Sequence, residues 1–296
     1  MPTDTLDSHA GGRPARPAGA TGALGRRIPW RLTAPILWLT LVLACAIGAD
    51  WLPLPAPDEM DFLAAEQLPG AAHWLGTDLD GRDLLARLTH GARVSLTVCV
   101  AAPLIGLLFG TLLAMLSTGG PGWVRKSVLS VLDAMLAFPN LVFALGLTVV
   151  FGPSLRNVTL ALGIMSIPAF ARIARANILP LMTREFVLAA RTAGASTAWI
   201  MLREVLPNIS MPLLTYALTM GSVMIVAEGS LSFLGVGVPP PTPSWGSMIA
   251  DGREALERVP HVSLIPAAVM FLTVLSLNLL GDALRRRAGA ATGSVR

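Results

Sequence analysis

Residues 94–118 read VSLTVCVAAPLIGLLFGTLLAMLST, a run of 25 residues without one charged side chain. A helix needs about 20 consecutive apolar residues to cross the hydrocarbon core of a bilayer. The run therefore predicts a membrane-spanning helix. The composition of the whole chain agrees, because 53% of its 296 residues are hydrophobic and only 14% are charged, whereas soluble domains carry about 25% charged residues.

Five further apolar stretches have a similar length and lie at about 32–54, 127–151, 158–178, 211–236 and 262–281. Together the six stretches predict an all-α polytopic membrane protein with six transmembrane helices. Pro139, Pro168 and Pro266 fall inside them. We expect kinks there, since a spanning helix tolerates proline when neighbouring groups satisfy the freed carbonyl.

The predicted spans divide the chain into five parts. These are a disordered basic cytoplasmic tail (1–31), a first transmembrane helix (32–54), an extracytoplasmic segment (55–93), a transmembrane domain with a cytoplasmic loop at 184–208 (94–287), and a C-terminal tail (288–296). Two connections, 50–93 and 177–210, are longer than a helical bundle needs. Long ordered loops usually carry function.

The distribution of basic residues predicts the orientation in the membrane. With both termini in the cytoplasm, 16 of the 22 Lys and Arg residues lie inside and 6 lie outside, and 11 of the 18 acidic residues lie outside. Lys and Arg resist translocation, so this orientation is strongly preferred. The basicity thus reflects topology, and we expect no nucleic acid as a partner.

The lysine and cysteine residues argue against two kinds of site. The only lysine, Lys126, follows Arg125 where a phosphate-binding P-loop requires a second glycine, so the chain is not expected to hydrolyse ATP by itself. Cys45 and Cys99 both lie inside apolar runs, which excludes a disulfide framework and a cysteine-based zinc site.

Three aspartates in the predicted outer segment, Asp78, Asp80 and Asp83, do not follow the spacing of a calcium-binding loop. We expect them instead to cap turns and to pair with Arg82, Arg87 or Arg93. No metal site is predicted.

The predicted cytoplasmic loop, residues 184–208, reads REFVLAARTAGASTAWIMLREVLPN. The pattern predicts two short helices that meet at Gly194, where a residue without Cβ can adopt the left-handed conformation, and Pro207 is expected to end the second helix. Val187, Ala190, Arg191 and Gly194 share a face of small residues that another protein can approach closely. An amphipathic segment lying on lipid headgroups is the alternative interpretation.

Four ordered blocks of this sequence resemble one family of proteins. The blocks are LGTDLDGRD at 75–83 with Gly91–Leu96, Ala189-Ala190 followed by Gly194 and Leu206-Pro207, EGSLSFLG at 228–235 with PSWG at 243–246, and NLLGD at 278–282. They are similar to the second permease subunit of ABC importers of the dipeptide, oligopeptide and nickel subfamily. One departure is Leu188, which stands where the signature loop of the family usually has Glu.

The resemblance implies the importer-permease (MetI-like) fold, with a cytoplasmic coupling-helix loop that docks into an ATPase. The residues that it assigns to this docking are Phe186, Ala189, Ala190, Arg191, Gly194, Ala195 and Ser196. It also implies a multi-pass location in a bacterial inner membrane and four kinds of partner: a homologous second permease, one or two ABC ATPase subunits, an extracytoplasmic solute-binding protein and lipid. ATP and Mg would then bind to the ATPase, and this chain would need no cofactor.

Asp133 and Glu228 are the two acidic residues inside predicted spans. A charge there costs at least about 2.5 kcal/mol even on lenient insertion scales, so both side chains are expected to face the bundle interior. For Asp133, a helix–helix hydrogen bond and a role in the transport pathway remain open. Glu228 has Gly229, Ser230 and Ser232 beside it, which favours structural hydrogen bonding near an outer gate.

Two other functions are alternatives to the permease hypothesis. A proton-coupled secondary transporter would use Asp133 and Glu228 as proton carriers, and repeats between the two halves would support it, but none is evident. An intramembrane enzyme would need a convergent set of catalytic side chains, and no His lies in a predicted span. A permease without enzymatic activity is therefore the preferred hypothesis.

Overall fold

The computed structural model describes residues 30–293 and, within them, the side chains of residues 32–286. All regular structure in this range is helical. The ten α-helices are α1 (Trp30–Gly48), α2 (Leu84–Gly119), α3 (Gly122–Ala137), α4 (Asn140–Phe151), α5 (Leu155–Leu181), α6 (Glu185–Thr192), α7 (Thr197–Trp199), α8 (Leu206–Phe233), α9 (Trp245–Asp251) and α10 (His261–Gly293). A π-helical segment, Ile200–Val205, joins α7 to α8.

Five helical stretches are long and apolar enough to cross a membrane. They are Leu32–Trp51, Leu84–Gly119, Leu155–Leu181, Thr197–Phe233 and His261–Arg286. The pair α3 and α4 passes the same test but is bent by 92° at its break. The described residues therefore contain five spans, or six when the bent pair is counted as one.

The span predicted at 127–151 is broken at Pro139, where the sequence predicted a kink. Phe138 has an extended backbone with ψ 137°, α3 ends at Ala137 and α4 begins at Asn140. The ring of Pro139 disfavours helical geometry at the residue before it, and proline lacks the N–H that would continue the ladder. Pro168 and Pro266, by contrast, remain inside α5 and α10.

Pro207 does not end a helix, contrary to the sequence prediction. The chain stays helical from Thr197 to Phe233, and the Leu206 N–H donates to the carbonyl of Met201, five residues earlier. Such a π-turn widens the helix locally, so a proline without an N–H is accommodated there. The end of the 184–208 loop is consequently continuous with the spanning helix α8.

The core of the bundle is the contact between α2 and α5. Gly110 makes this contact close, since a Cβ at this position would lie 2.7 Å from the carbonyl oxygen of Ile167. Small residues allow such close approach of helices inside a membrane. Ala102, Leu162 and Met224 are buried in the cluster that joins α2 and α5 to α8.

Most of the two predicted tails lies outside the described residues. Residues 1–29 of the predicted basic tail and residues 294–296 of the predicted C-terminal tail lie outside the described residues. Residues 288–293, which the sequence assigned to that tail, continue α10. At the other end of the first span, α1 stops at Gly48 and a short 3-10 turn covers Ala49–Trp51.

Candidate functional site

The turn between α6 and α7 has the geometry that the sequence predicts at Gly194. Its φ is +84°, in the left-handed region. The N–H of Ala195 donates to the carbonyl of Ala190, and the N–H of Gly194 donates to that of Arg191, both at 3.0 Å. These two bonds form a Schellman motif, which ends a helix and fixes the direction of the next segment. Ser196 then caps α7 by accepting the N–H of Trp199.

One face of α6 packs onto the protein's own bundle. Val187 is fully buried in a cluster with Ile178 and Ile200, and Ala190 and Ala195 pack against the same cluster. The small-residue face that the sequence pattern identified is therefore turned partly inward at Val187 and Ala190. This packing seats the loop firmly on the ends of α5 and α8.

The opposite face of the loop is open. Phe186, Ala189, Arg191, Gly194 and Ser196 are exposed, and Leu188 is exposed among them. Five of the seven residues proposed for docking thus share the outer surface, and Ala190 and Ala195 support them from beneath. Leu188 adds an apolar side chain to this surface in place of a carboxylate.

Glu228 connects α8 to α9. Its Oε1 accepts a hydrogen bond from Ser232 Oγ at 2.8 Å and another from Ser244 Oγ at 2.7 Å. Ser244 is also the N-cap of α9 and forms a capping box with Ser247. Glu228 is completely buried, and its Oε2 has no hydrogen-bond partner among the described residues. Glu228 therefore links α8 to the start of α9 through hydrogen bonds inside the protein.

The same short helix is fastened to α2. Trp245 is buried, its backbone N–H donates to Ser95 Oγ at 3.2 Å, and its indole Nε1 donates to the carbonyl of Leu88 at 3.1 Å. A Cβ at Gly246 would collide with the Cα of Gly229 on α8. The EGSLSFLG and PSWG blocks therefore meet in space and hold α9 between α8 and α2.

Asp133 does not face the interior of the bundle, contrary to the sequence prediction, whereas Glu228 does. Its side chain is 73% exposed on α3, and the guanidinium of Arg172 on α5, itself 68% exposed, is 3.9 Å away. Asp133 and Glu228 share no hydrogen-bond or ion-pair partner among the described residues, so the structure does not join the two acids in one site. Arg172 could not be identified from the sequence as the partner of Asp133, because this contact depends on how α3 packs against α5.

The loop before α2 contains an ion-pair cluster. Asp78 binds Arg82 Nε at 2.7 Å and lies 3.3 Å from Arg87 Nε, and Arg87 also approaches Asp251 at 3.4 Å. Burial raises the pKa of the Asp251 carboxyl, an effect that the Arg87 charge opposes. The predicted pairing with Arg82 and Arg87 is therefore present for Asp78.

Asp83 acts as a cap, as predicted, but its side chain pairs with a histidine rather than an arginine, and Arg93 pairs with an aspartate outside the predicted group. Asp83 caps α2 by accepting the N–H of Ala86 at 2.8 Å, and it contacts His73 Nδ1 at 2.9 Å. Arg93 reaches Asp50 at 2.8 Å and the carbonyls at the end of α1. No group of three or more metal-ligating side chains occurs in the described part of the chain.

Comparisons with known proteins give consistent results. Residues 106–290 match the family described as binding-protein-dependent transport system inner membrane component. The chain is 37% identical over 272 residues to the glutathione transport system permease protein GsiD of Pectobacterium atrosepticum, covering 88% of this chain and 90% of that protein. It is 40% identical over 256 residues to the di/tripeptide transport system permease protein DppC of Pseudomonas aeruginosa, covering 84% of each.

Two solved structures have a similar fold. A chain of the inward-facing MetNI methionine ABC transporter aligns with a TM-score of 0.58 at 16% identity and covers 68% of this chain and 96% of its own. A chain of an amino acid ABC transporter with histidines aligns with a TM-score of 0.53 at 22% identity and covers 68% and 94%. None of these comparisons supports a proton-coupled secondary transporter.

Proposed function

The chain belongs to the family of binding-protein-dependent transport system inner membrane components, and from that premise we propose that it forms half of the pathway through which an ABC importer takes up short peptides. It is a non-catalytic permease subunit with the MetI-like importer-permease fold. Its setting is a bacterial inner membrane, which it crosses several times. Membership of the family implies an ATPase and a binding protein as partners.

The substrate class rests on the similar permeases. Their names refer to glutathione and to di- and tripeptides, and the similarity extends over 84% or more of this chain. Glutathione, dipeptides and tripeptides all carry an ammonium group and at least one carboxylate. We propose short zwitterionic peptides as the transported solutes.

The observation that carries the coupling proposal is the 184–208 loop. Val187 anchors it to the bundle, the Schellman turn at Gly194 fixes its shape, and Phe186 and Leu188 remain exposed on the outer surface. Exposed apolar side chains on a rigid support suit a protein partner. We propose that an ABC ATPase docks on this surface.

The same loop can transmit a movement of the ATPase to the membrane-spanning helices. Helix is continuous from Thr197 to Phe233, so a displacement at the loop moves α8 as a rigid rod. Glu228 joins α8 to α9 through Ser244. In the proposed cycle, ATP binding and hydrolysis in the partner shift the loop, and α8 with α9 changes access to the pathway, which a homologous second permease completes.

Replacing Gly194 with valine is expected to uncouple the permease from its ATPase. A β-branched residue in the left-handed region costs about 1–2 kcal/mol, and no atom lies within 4 Å of a Cβ at Gly194, so the change strains the turn without creating a clash. ATP-driven uptake of a labelled dipeptide should fall severalfold in proteoliposomes containing both permeases, the ATPase and the binding protein.

Gly152→Val is the matched control for this experiment. Gly152 has φ +83° and also has open space around its Cβ position, but it lies between α4 and α5. The control should retain coupling although its backbone strain is at least as large, because φ +83° with ψ 155° is a conformation that essentially only glycine adopts. Equal uptake and equal peptide-stimulated ATP hydrolysis in Gly194→Val and the wild type would refute the docking proposal, and absence of ATP-driven peptide uptake by the wild-type complex would refute the substrate proposal.

The proposed orientation places both termini in the cytoplasm and the segment before α2 outside. Leu63 and Ala198 are exposed on the two opposite connections. In a variant without Cys45 and Cys99, a cysteine at position 63 should react with a membrane-impermeant thiol reagent added to intact cells, and a cysteine at 198 should react only after lysis. The reverse pattern would overturn the orientation.

A further inference from the structure

An exposed pair of opposite charges lies within two of the predicted spans. Asp133 is six residues beyond the start of the span at 127–151, and Arg172 is six residues before the end of the span at 158–178. At about 1.5 Å per residue, both lie roughly 9 Å from the cytoplasmic ends of these spans. A bilayer core is about 30 Å thick, so the pair is inside the hydrocarbon layer, in its cytoplasmic half.

Lipid is an unsuitable environment for this surface, because intramembrane charges normally face a water-filled cavity or another protein. Lys126, Ser130 and Asp133 are all exposed and follow one stripe of α3 at spacings of four and three residues. On α5, Arg172 lies on the same face as Ala169 and Met165, which are half-buried. The polar stripe and this face converge on the ion pair.

The face of α5 continues into a mostly apolar cavity of about 420 Å³ that has a few polar side chains in its wall. Met165 forms part of its wall, and its polar lining residues are Asn140, Ser222, Ser230 and Asn278. Asn278 donates hydrogen bonds to Ser222 Oγ and to the carbonyl of Val274. The cavity and the Arg172–Asp133 pair thus lie on one side of α5, with the apolar side chains of Met165 and Ala169 between them.

The ion pair between Arg172 and Asp133 is long. Arg172 Nη2 and Asp133 Oδ1 are 3.9 Å apart, beyond hydrogen-bond distance, and neither side chain has another hydrogen bond or ion pair within the described residues. By contrast, the buried Arg82–Asp78 contact is 2.7 Å. Most of the donors of Arg172 and acceptors of Asp133 therefore remain available to a ligand.

We propose that Asp133 and Arg172 bind the two charged ends of a zwitterionic peptide in transit, the ammonium at Asp133 and the carboxylate at Arg172. This inference rests on the proposed function. An extended dipeptide spans about 7 Å between its ends, so the two exposed side chains separate as it enters. Without peptide they partly neutralise each other. Two solvated single-charge contacts hold the peptide weakly, which allows it to leave.

The test uses competition for the ATP-free complex in nanodiscs, without the binding protein, measured by saturation-transfer NMR. The ligand is alanyl-alanine, and the competitors are its C-terminal amide and its N-acetyl derivative. In the wild type each blocked derivative should bind about threefold to fivefold more weakly, the effect of losing one solvent-exposed ion pair. Arg172→Gln should remove the preference for a free carboxylate only, and Asp133→Asn the preference for a free ammonium only.

Two further variants serve as controls. Arg172→Lys keeps the charge and should retain the carboxylate preference, and Arg156→Gln, at the other end of α5, should leave both preferences unchanged. If all three ligands bind equally to the wild type, or if each substitution weakens all three ligands alike, the pair is only a contact between helices or with the second permease and the proposal is overturned. ATP-driven uptake of alanyl-alanine by the same preparation shows separately whether the proposed function holds.

Discussion

Replacing Asp78 with alanine is expected to destabilise the loop before α2 by about 3–5 kcal/mol, the usual effect of removing one partner from a buried ion pair. Asp78 accepts hydrogen bonds from the N–H groups of Asp80 and Arg82 and from Arg82 Nε. Arg87, also buried, would keep only Asp251 at 3.4 Å and the carbonyl of Pro57 at 3.5 Å. A buried guanidinium would then lack close compensation. The midpoint of thermal unfolding of the purified permease complex measures the loss.

Asp80→Ala is the control in the same loop. Asp80 also pairs with Arg82, but its side chain is 42% exposed, and pairs of this kind contribute about 0–1 kcal/mol. Its unfolding midpoint should lie close to that of the wild type. Equal midpoints for the two variants would show that the buried cluster does not stabilise this end of the protein.

The same cluster explains why the helix α2 begins ten residues before the predicted span at 94–118. Apolar periodicity ended at Arg93, yet α2 begins at Leu84 and continues through Arg87. Residues 84–93 are shielded by protein rather than by lipid, and Arg87 is neutralised by Asp78 and Asp251. Hydrophobicity alone cannot identify helix that is buried by ion pairing. The apolar centre of the span, in contrast, followed from composition.

Local signals predicted Gly194 well, because a left-handed turn is encoded by the residue that adopts it. They did not determine which face of α6 points outward. Periodicity grouped Val187 with Ala190 correctly, but only the packing of α6 on Ile178 and Ile200 shows that this face is internal. Helical periodicity identifies the residues that share one face of a helix, and the rest of the fold determines what packs on that face.

The break at Phe138 and the hydrogen-bond partners of Glu228 could not be predicted from the sequence for the same reason, because both depend on tertiary contacts. A proline in an apolar run permits either a kink or a break, and the 92° turn depends on where α4 finds partners on α5 and α8. The hydrogen bond from Ser244 to Glu228 spans 16 residues and exists only because α9 folds back onto α8. Sequence indicated hydrogen bonding for Glu228 but not its partner across the turn.

Gly246→Ala is expected to displace α9 and to lower stability by about 1–3 kcal/mol through overpacking, with a further loss of about 1 kcal/mol or more if the hydrogen bond to Glu228 breaks. The new Cβ would meet the Cα of Gly229 and come within 3.1 Å of Glu228 Oε2. Neither the α8 backbone nor the enclosed carboxylate can rotate away as the tip of a flexible side chain can. Peptide uptake should fall as well, because α9 is the element that Glu228 couples to α8.

Gly229→Ala tests this argument at the same helix contact from the other side. Its Cβ would lie 3.3 Å from Met270 Cε and 3.6 Å from the Cα of Gly246, and the flexible methionine can move aside. Alanine also favours a helix over glycine by about 1 kcal/mol, so this variant should unfold near the wild-type temperature. Thermal unfolding of both variants tests this difference. Equal destabilisation would mean that neither glycine at the α8–α9 contact tolerates a Cβ, and that the different surroundings of the two positions have no energetic consequence.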